Sequence, residues 1–135
     1  GAFLWGRRPD TSLYISDLTR DLDTVIADTT GLSGIRHRRK FTFDKVTPTL
    51  IIDDEFEHDC EWVATFVLSP EMKDVTIEND KVDINHLFSL TTSSGIITVE
   101  KDTYSPRYGI VTQCHILRIK GHGCENSIII EPIKP

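Results

Sequence analysis

Four residues invite a metal first. His58-x-Cys60 and His122-x-Cys124 form two H-x-C pairs. On a strand, residues at i and i+2 point to the same side, so each pair offers two ligands. Together they could make a tetrahedral Cys₂His₂ zinc site. The one-residue spacing is not that of the common zinc modules, and buried cysteines and turn histidines explain the same residues without a metal. No cofactor is expected.

Charge supplies the second candidate chemistry. Arg36, Arg38, Arg39 and Lys40, with His37 among them, form a compact basic run. Asp53, Asp54, Glu55, Glu57, Asp59 and Glu61 form an acidic run soon after. If one strand joins the two, they lie at its opposite ends and give the domain two poles. The basic run would suit a phosphate-bearing or acidic partner, including nucleic acid. The acidic run would suit a basic protein or a cation, though it lacks the Asp/Asn spacing and central Gly of an EF-hand loop. Solubilising residues around an apolar strand are the plainer account.

Enzymatic signatures are missing. Neither Gly31-Leu32-Ser33-Gly34 nor Ser94-Gly95 makes the G-x-S-x-G nucleophile elbow. No Walker or G-x-G-x-x-G pattern is present. Thr47-Pro48, Ser69-Pro70 and Ser105-Pro106 match proline-directed kinase sites, but such dipeptides also begin turns. The expectation is a protein that is not an enzyme.

The elements that must position these residues read as strands. Segments near 41–44, 49–53, 61–68, 74–78, 87–91, 96–100, 108–119 and 126–133 are rich in β-branched and aromatic residues. Turn-forming residues separate them at the spacing of sandwiches and barrels. Gly121-His122-Gly123 reads as a turn joining the last two strands in a hairpin. Leu13 and Ile15 alternate with polar neighbours in a short strand. Leu18, Leu22, Val25 and Ile26 fall at i, i+4, i+7 and i+8, which predicts a helix over 17–28. Residues 31–40 read as an exposed loop. Phe3, Leu4 and Trp5 would dock on the body or begin an edge strand, since they would otherwise form a sticky patch.

The totals agree with one globular domain. The chain has 135 residues, 39% apolar and 27% charged, with a net charge of −6. A core can form at that size without metals or disulfides. The charge opposes nonspecific binding to nucleic acid or an anionic membrane by the whole surface. No apolar run approaches the roughly 20 residues of a membrane-spanning helix. Gly1 stands where an initiator Met would, so the expectation is a fragment of a larger protein. Three cysteines, Cys60, Cys114 and Cys124, cannot all pair. With no N-x-S/T acceptor, this favours an intracellular setting, cytoplasmic or nuclear.

Three partial resemblances follow. The separation of Cys60 and Cys114 is similar to that of the inter-sheet bridge of immunoglobulin domains. However, Trp62 follows Cys60 too closely, and Thr112 stands where the corner tyrosine belongs. Two buried thiols are therefore expected. Leu87-Phe88-Ser89-Leu90 with Ser94-Gly95-Ile96-Ile97-Thr98-Val99 resembles the strand–turn–strand segment of cadherin repeats, without their acidic calcium motifs. Leu117-Arg118-Ile119-Lys120-Gly121-His122-Gly123 is similar to the final hairpin of nucleoplasmin-type histone chaperones, and Phe3-Leu4-Trp5-Gly6 to the start of that core. The chaperone resemblance implies an acidic oligomer that binds basic proteins. The last two each cover less than a quarter of the chain.

The combined expectation is a mainly antiparallel β-sandwich or jelly-roll-like domain with one short helix, spanning 1–135. Its expected role is an interaction or scaffold module that binds a protein partner or self-associates as a homo-oligomer, with no membrane contact. The binding residues would be Phe3, Trp5, Arg36, Arg38, Arg39, Lys40, Asp53, Asp54, Glu55 and Glu57.

Overall fold

The computed structural model describes residues 10–31 and 34–133. Nine strands appear there: β1 (Thr11–Leu18), β2 (Leu22–Thr29), β3 (His37–Asp44), β4 (Thr49–Val67), β5 (Val75–Glu78), β6 (Lys81–Ile84), β7 (Phe88–Thr92), β8 (Ile96–Arg107) and β9 (Ile110–Pro132). All pairings are antiparallel. The order is β1-β2-β3-β4-β9-β7-β6-β5, and β8 pairs with β9. The mainly β, antiparallel class expected from the sequence is the class observed.

Two strands organise the sheet. β4 and β9 pair over most of their length, with a register shift between Glu55 and Cys60. The other edge of β9 is divided, with β8 along 110–120 and β7 along 128–132. One core cluster takes Ile52 and Ile128 from one end of this pair, with Leu90 of β7 and Val82 of β6 beside them, and Trp62, Ala64, Leu117 and Ile119 from the other end. Two ends of the same strands can share a core only if the sheet folds over between them. Bulges do this by bending a strand and increasing its twist. The result is sandwich-like.

The glycines at the bend serve it and do not form a turn. β9 runs unbroken through Gly121-His122-Gly123, which corrects the expected hairpin. Trp62 lies opposite Gly121. A Cβ there would meet Trp62 Cζ2 at 2.2 Å, so the indole occupies the space a side chain would need. Gly123 has φ +132°, a conformation that side chains disfavour, beside the register shift.

No helix is seen among the described residues, and 17–28 forms the β1–β2 hairpin instead. The i, i+4, i+7 spacing was real, but Thr24, Val25, Ile26 and Thr29 are β-branched and suit a strand. Thr19 closes the turn: its N–H and hydroxyl donate to Leu22 O, and its oxygen accepts from Leu22 N–H at 3.0 Å. β2 then pairs with β3 along its whole length. The end of the expected 31–40 loop is likewise strand, because β3 starts at His37. The separately expected strands 49–53 and 61–68 are one strand, as are 108–119 and 126–133. Strand β6 was not expected. A two-residue turn at Asn79-Asp80, both with positive φ, folds it back on β5. No helix of the described residues is long and apolar enough to cross a membrane.

Candidate functional site

The basic and acidic runs are neighbours, not poles. β3 and β4 pair so that His37 faces Phe56, Arg38 faces Glu55, Arg39 faces Asp54 and Lys40 faces Asp53. The segment between the runs turns back on itself at 45–48, so antiparallel pairing lays one run along the other. This corrects the two-pole arrangement. Opposite charges across a strand pair stabilise each other.

Alternation then divides the basic run between the two faces of the sheet. Arg36, Arg38 and Lys40 share the outer face. Arg36 Nε donates to Asp28 Oδ2 at 2.7 Å, and Arg36 Nη2 donates to the Tyr14 hydroxyl at 3.2 Å. The Arg38 guanidinium lies over the Tyr14 ring, 5.1 Å from its centroid. A bulge between Leu13 and Ile15 brings Tyr14 there. Burial alone would raise the Asp28 pKa. Hydrogen bonds from Arg36 and Tyr14, with the charges of Arg36 and Arg38, outweigh it and hold the pKa below the usual carboxylate value. An outer groove of about 610 Å³ includes Arg38, Lys40, Asp53, Glu55, Glu125 and Ser127. Ser127 Oγ donates to Asp53 Oδ1 at 2.8 Å.

His37 and Arg39 point to the inner face, where the chemistry is more concentrated. Asp54 is buried there, with 5% of its side chain exposed. Arg39 Nε donates to Asp54 Oδ1 at 2.6 Å, and Nη2 donates to Oδ2 at 2.9 Å. His37 Nε2 lies 2.6 Å from Asp54 Oδ1. An ionised carboxylate only accepts, so Nε2 carries the proton and Nδ1 is left as the second functional nitrogen. Burial works to raise the Asp54 pKa. The hydrogen bonds from His37 and Arg39 and their charges overcome that and lower it. Behind His37 the rings stack: His37 on Phe56 at 4.7 Å between centroids, and Phe56 near-parallel to Trp62 at 6.5 Å. An adjoining pocket of about 340 Å³ is lined by His37, Arg39, Asp54, Phe56 and Trp62 among others. The buried Trp62 Nε1 has no partner among the described residues. This arrangement can hold an anionic group against a flat apolar wall.

The other candidates fare differently. Cys60 lies opposite Gly123, so its side chain and that of Cys124 leave opposite faces of the sheet. Among the described residues no group of three or more His, Cys, Asp or Glu could hold a metal ion. All three cysteines are free: Cys114 is buried, Cys60 half-buried and Cys124 exposed. Glu57 N donates to Arg36 O at 3.0 Å, which extends the alignment of the two runs. Phe3 and Trp5 lie outside the described residues. Sequence reading missed Tyr14, Asp28, Phe56 and Trp62 as members of these clusters. The available signal was the matching alternation of His37-x-Arg39 and Asp54-x-Phe56, which has meaning only once both segments are strands.

No family model and no curated protein matches this chain. Solved structures match its fold. Heparinase III, the BT4657 gene product, superposes with a TM-score of 0.75 at 12% identity, over 93% of this chain and 22% of that one. The heparan sulfate lyase HepC from Pedobacter heparinus gives 0.72 at 11% identity, again over 93% and 22%. Another heparinase III structure gives 0.74 at 13%, over 91% and 21%. At such identities the likeness is one of fold. This chain spans about a fifth of the length of those enzymes.

Proposed function

We propose that this chain is an interaction module of a longer protein, docking on a neighbouring domain through the inner face of β1, β2 and β3. The carrying observation is where its apolar surface lies. The inner face that packs the core at β4 continues across three more strands that no other element among the described residues covers. Leu13, Leu18, Phe41 and Phe43 lie on it and are 64%, 65%, 38% and 38% exposed. Contiguous exposed apolar surface of this kind marks an interface. The lyases of similar fold supply a precedent, since a sheet of this shape makes up only part of each chain. The test is amide hydrogen exchange on residues 1–135 alone and within the full encoded polypeptide. Added protection at β1–β3 is expected in the longer chain. Equal exchange in both would sink the proposal.

A second reading rests on the inner pocket. His37 and Arg39 are fixed by a buried carboxylate beside stacked rings, a setting suited to an acidic sugar. Heparan sulfate is named for one structural neighbour. Binding of heparan sulfate oligosaccharides should weaken with salt and fall in Arg39→Ala. Retained binding in that variant would eliminate the reading.

A further inference from the structure

Beyond the core, the inner face of the β8–β9 hairpin changes character. Ile97 faces Ile119 and Val99 faces Leu117, and all four belong to the core or pack against it. The next pairs on that face are Lys101 with His115 and Thr103 with Gln113. The connection from β4 to β5 crosses here. Leu68 N–H donates to His115 O at 3.0 Å, and His115 Nδ1 lies 3.1 Å from Met72 O. A carbonyl only accepts, so Nδ1 carries the proton and the connection is anchored at both points.

Between connection and hairpin lies a pocket of about 310 Å³, lined by Pro70, Met72, Lys73, Lys101, Cys114 and His115 among others. Pro70 and Met72 are half-buried, so part of the wall is apolar. The side-chain ammonium groups of Lys73 and Lys101 have neither an ion pair nor a hydrogen bond among the described residues. Glu71, on the connection itself, has no partner for its carboxylate among the described residues, while three other nearby carboxylates are engaged elsewhere. Glu100 accepts from Arg118 at 3.0 Å, Asp74 pairs with His86 at 3.0 Å, and Asp102 accepts from the Thr103 N–H at 2.7 Å. Two ammonium groups at one pocket repel each other, and an anion shared between them reverses the sign of that interaction. A concave site with apolar wall and a few converging polar groups is the usual form of a small-molecule site.

We propose that this pocket binds a small organic carboxylate, its charge between Lys73 and Lys101 and its apolar body against Pro70 and Met72. The proposal is independent of the docking face and of the His37 pocket. The test is an NMR titration of backbone amides with benzoate, acetate and inorganic phosphate at millimolar concentration. Benzoate should give saturable shifts at Met72, Lys73, Lys101 and His115, with the weaker acetate shifting the same amides. A Lys73→Gln/Lys101→Gln variant should weaken benzoate about tenfold, because it removes both charge-assisted contacts. Met72→Ala should weaken benzoate while leaving acetate unchanged. Absence of saturable shifts, unchanged affinity in the double variant, or phosphate binding as tightly as benzoate would each overturn the proposal.

Discussion

The two halves of this sheet are built by the same pairing and stabilised by different forces. From β4 to β5, and under β8, the sheet folds over and excludes water. Val82, Leu117, Ile119 and Ile128 show no exposed surface, and Leu90 only 1%. From β1 to β3 the sheet continues with no second layer of strands against it among the described residues, and every residue of β1 is exposed. Stabilisation there comes from the ladder and from charge pairs: Arg39 with Asp54, Arg36 with Asp28, and Lys45 with Asp23 at 2.7 Å. A sheet edge held mainly by polar pairs is weaker in isolation. It also keeps apolar surface available, as a docking face requires.

The largest effects should fall in the folded-over half. Leu117→Ala leaves a cavity where no solvent reaches and should cost about 2–5 kcal/mol, whereas Phe43→Ala on β3 should cost well under half of that. Denaturant unfolding of the two variants measures the contrast, and equal losses would break it. Gly121→Ala comes next. Its methyl overlaps the buried Trp62 ring, so a loss of about 1–3 kcal/mol is expected, with a shift in tryptophan fluorescence.

Asp54→Asn tests the seam between the halves. It leaves Arg39 and His37 without their carboxylate, and a cost of about 1–3 kcal/mol is expected. Its pH dependence has a definite sign. The Asp54 pKa is lowered in the folded state, so the unfolded chain binds the proton more readily. The stabilisation is present above the unfolded value of about 3.9 and is lost as pH falls through the folded value. Wild-type stability should therefore drop more steeply than that of Asp54→Asn below about pH 4. Parallel curves would show that Asp54 contributes nothing. The smallest effect belongs to the outer face: Lys40→Ala should lie within about 0.5 kcal/mol of wild type, because Lys40 is exposed and forms no ion pair among the described residues.

Much of the strand pattern was legible because β-branched and aromatic residues alternate locally. Ile96 to Val99 and Ser127 to Ile130 announced strands without help from the rest of the chain. The helix expected over 17–28 failed for the opposite reason. Leu18, Leu22, Val25 and Ile26 carry two periodicities, and pairing with β3 chose the extended one. The candidate sites were half legible. The basic and acidic runs could be seen, but their relation could not, since it depends on a turn at 45–48 and a register of one residue against another.

By itself, then, the sequence determined that this protein is built from antiparallel strands, because alternation and turn chemistry act over a few residues. It also determined which side chains could carry charge. Tertiary structure decided that Arg39 meets Asp54 rather than opposing it from afar. It decided that His37 and Arg39 leave by one face while Arg36, Arg38 and Lys40 leave by the other, and that Gly121 makes room for Trp62 rather than turning the chain. Each of these depends on cross-strand register and on the fold-over of β4 and β9, which join residues far apart in sequence and leave no local trace in it.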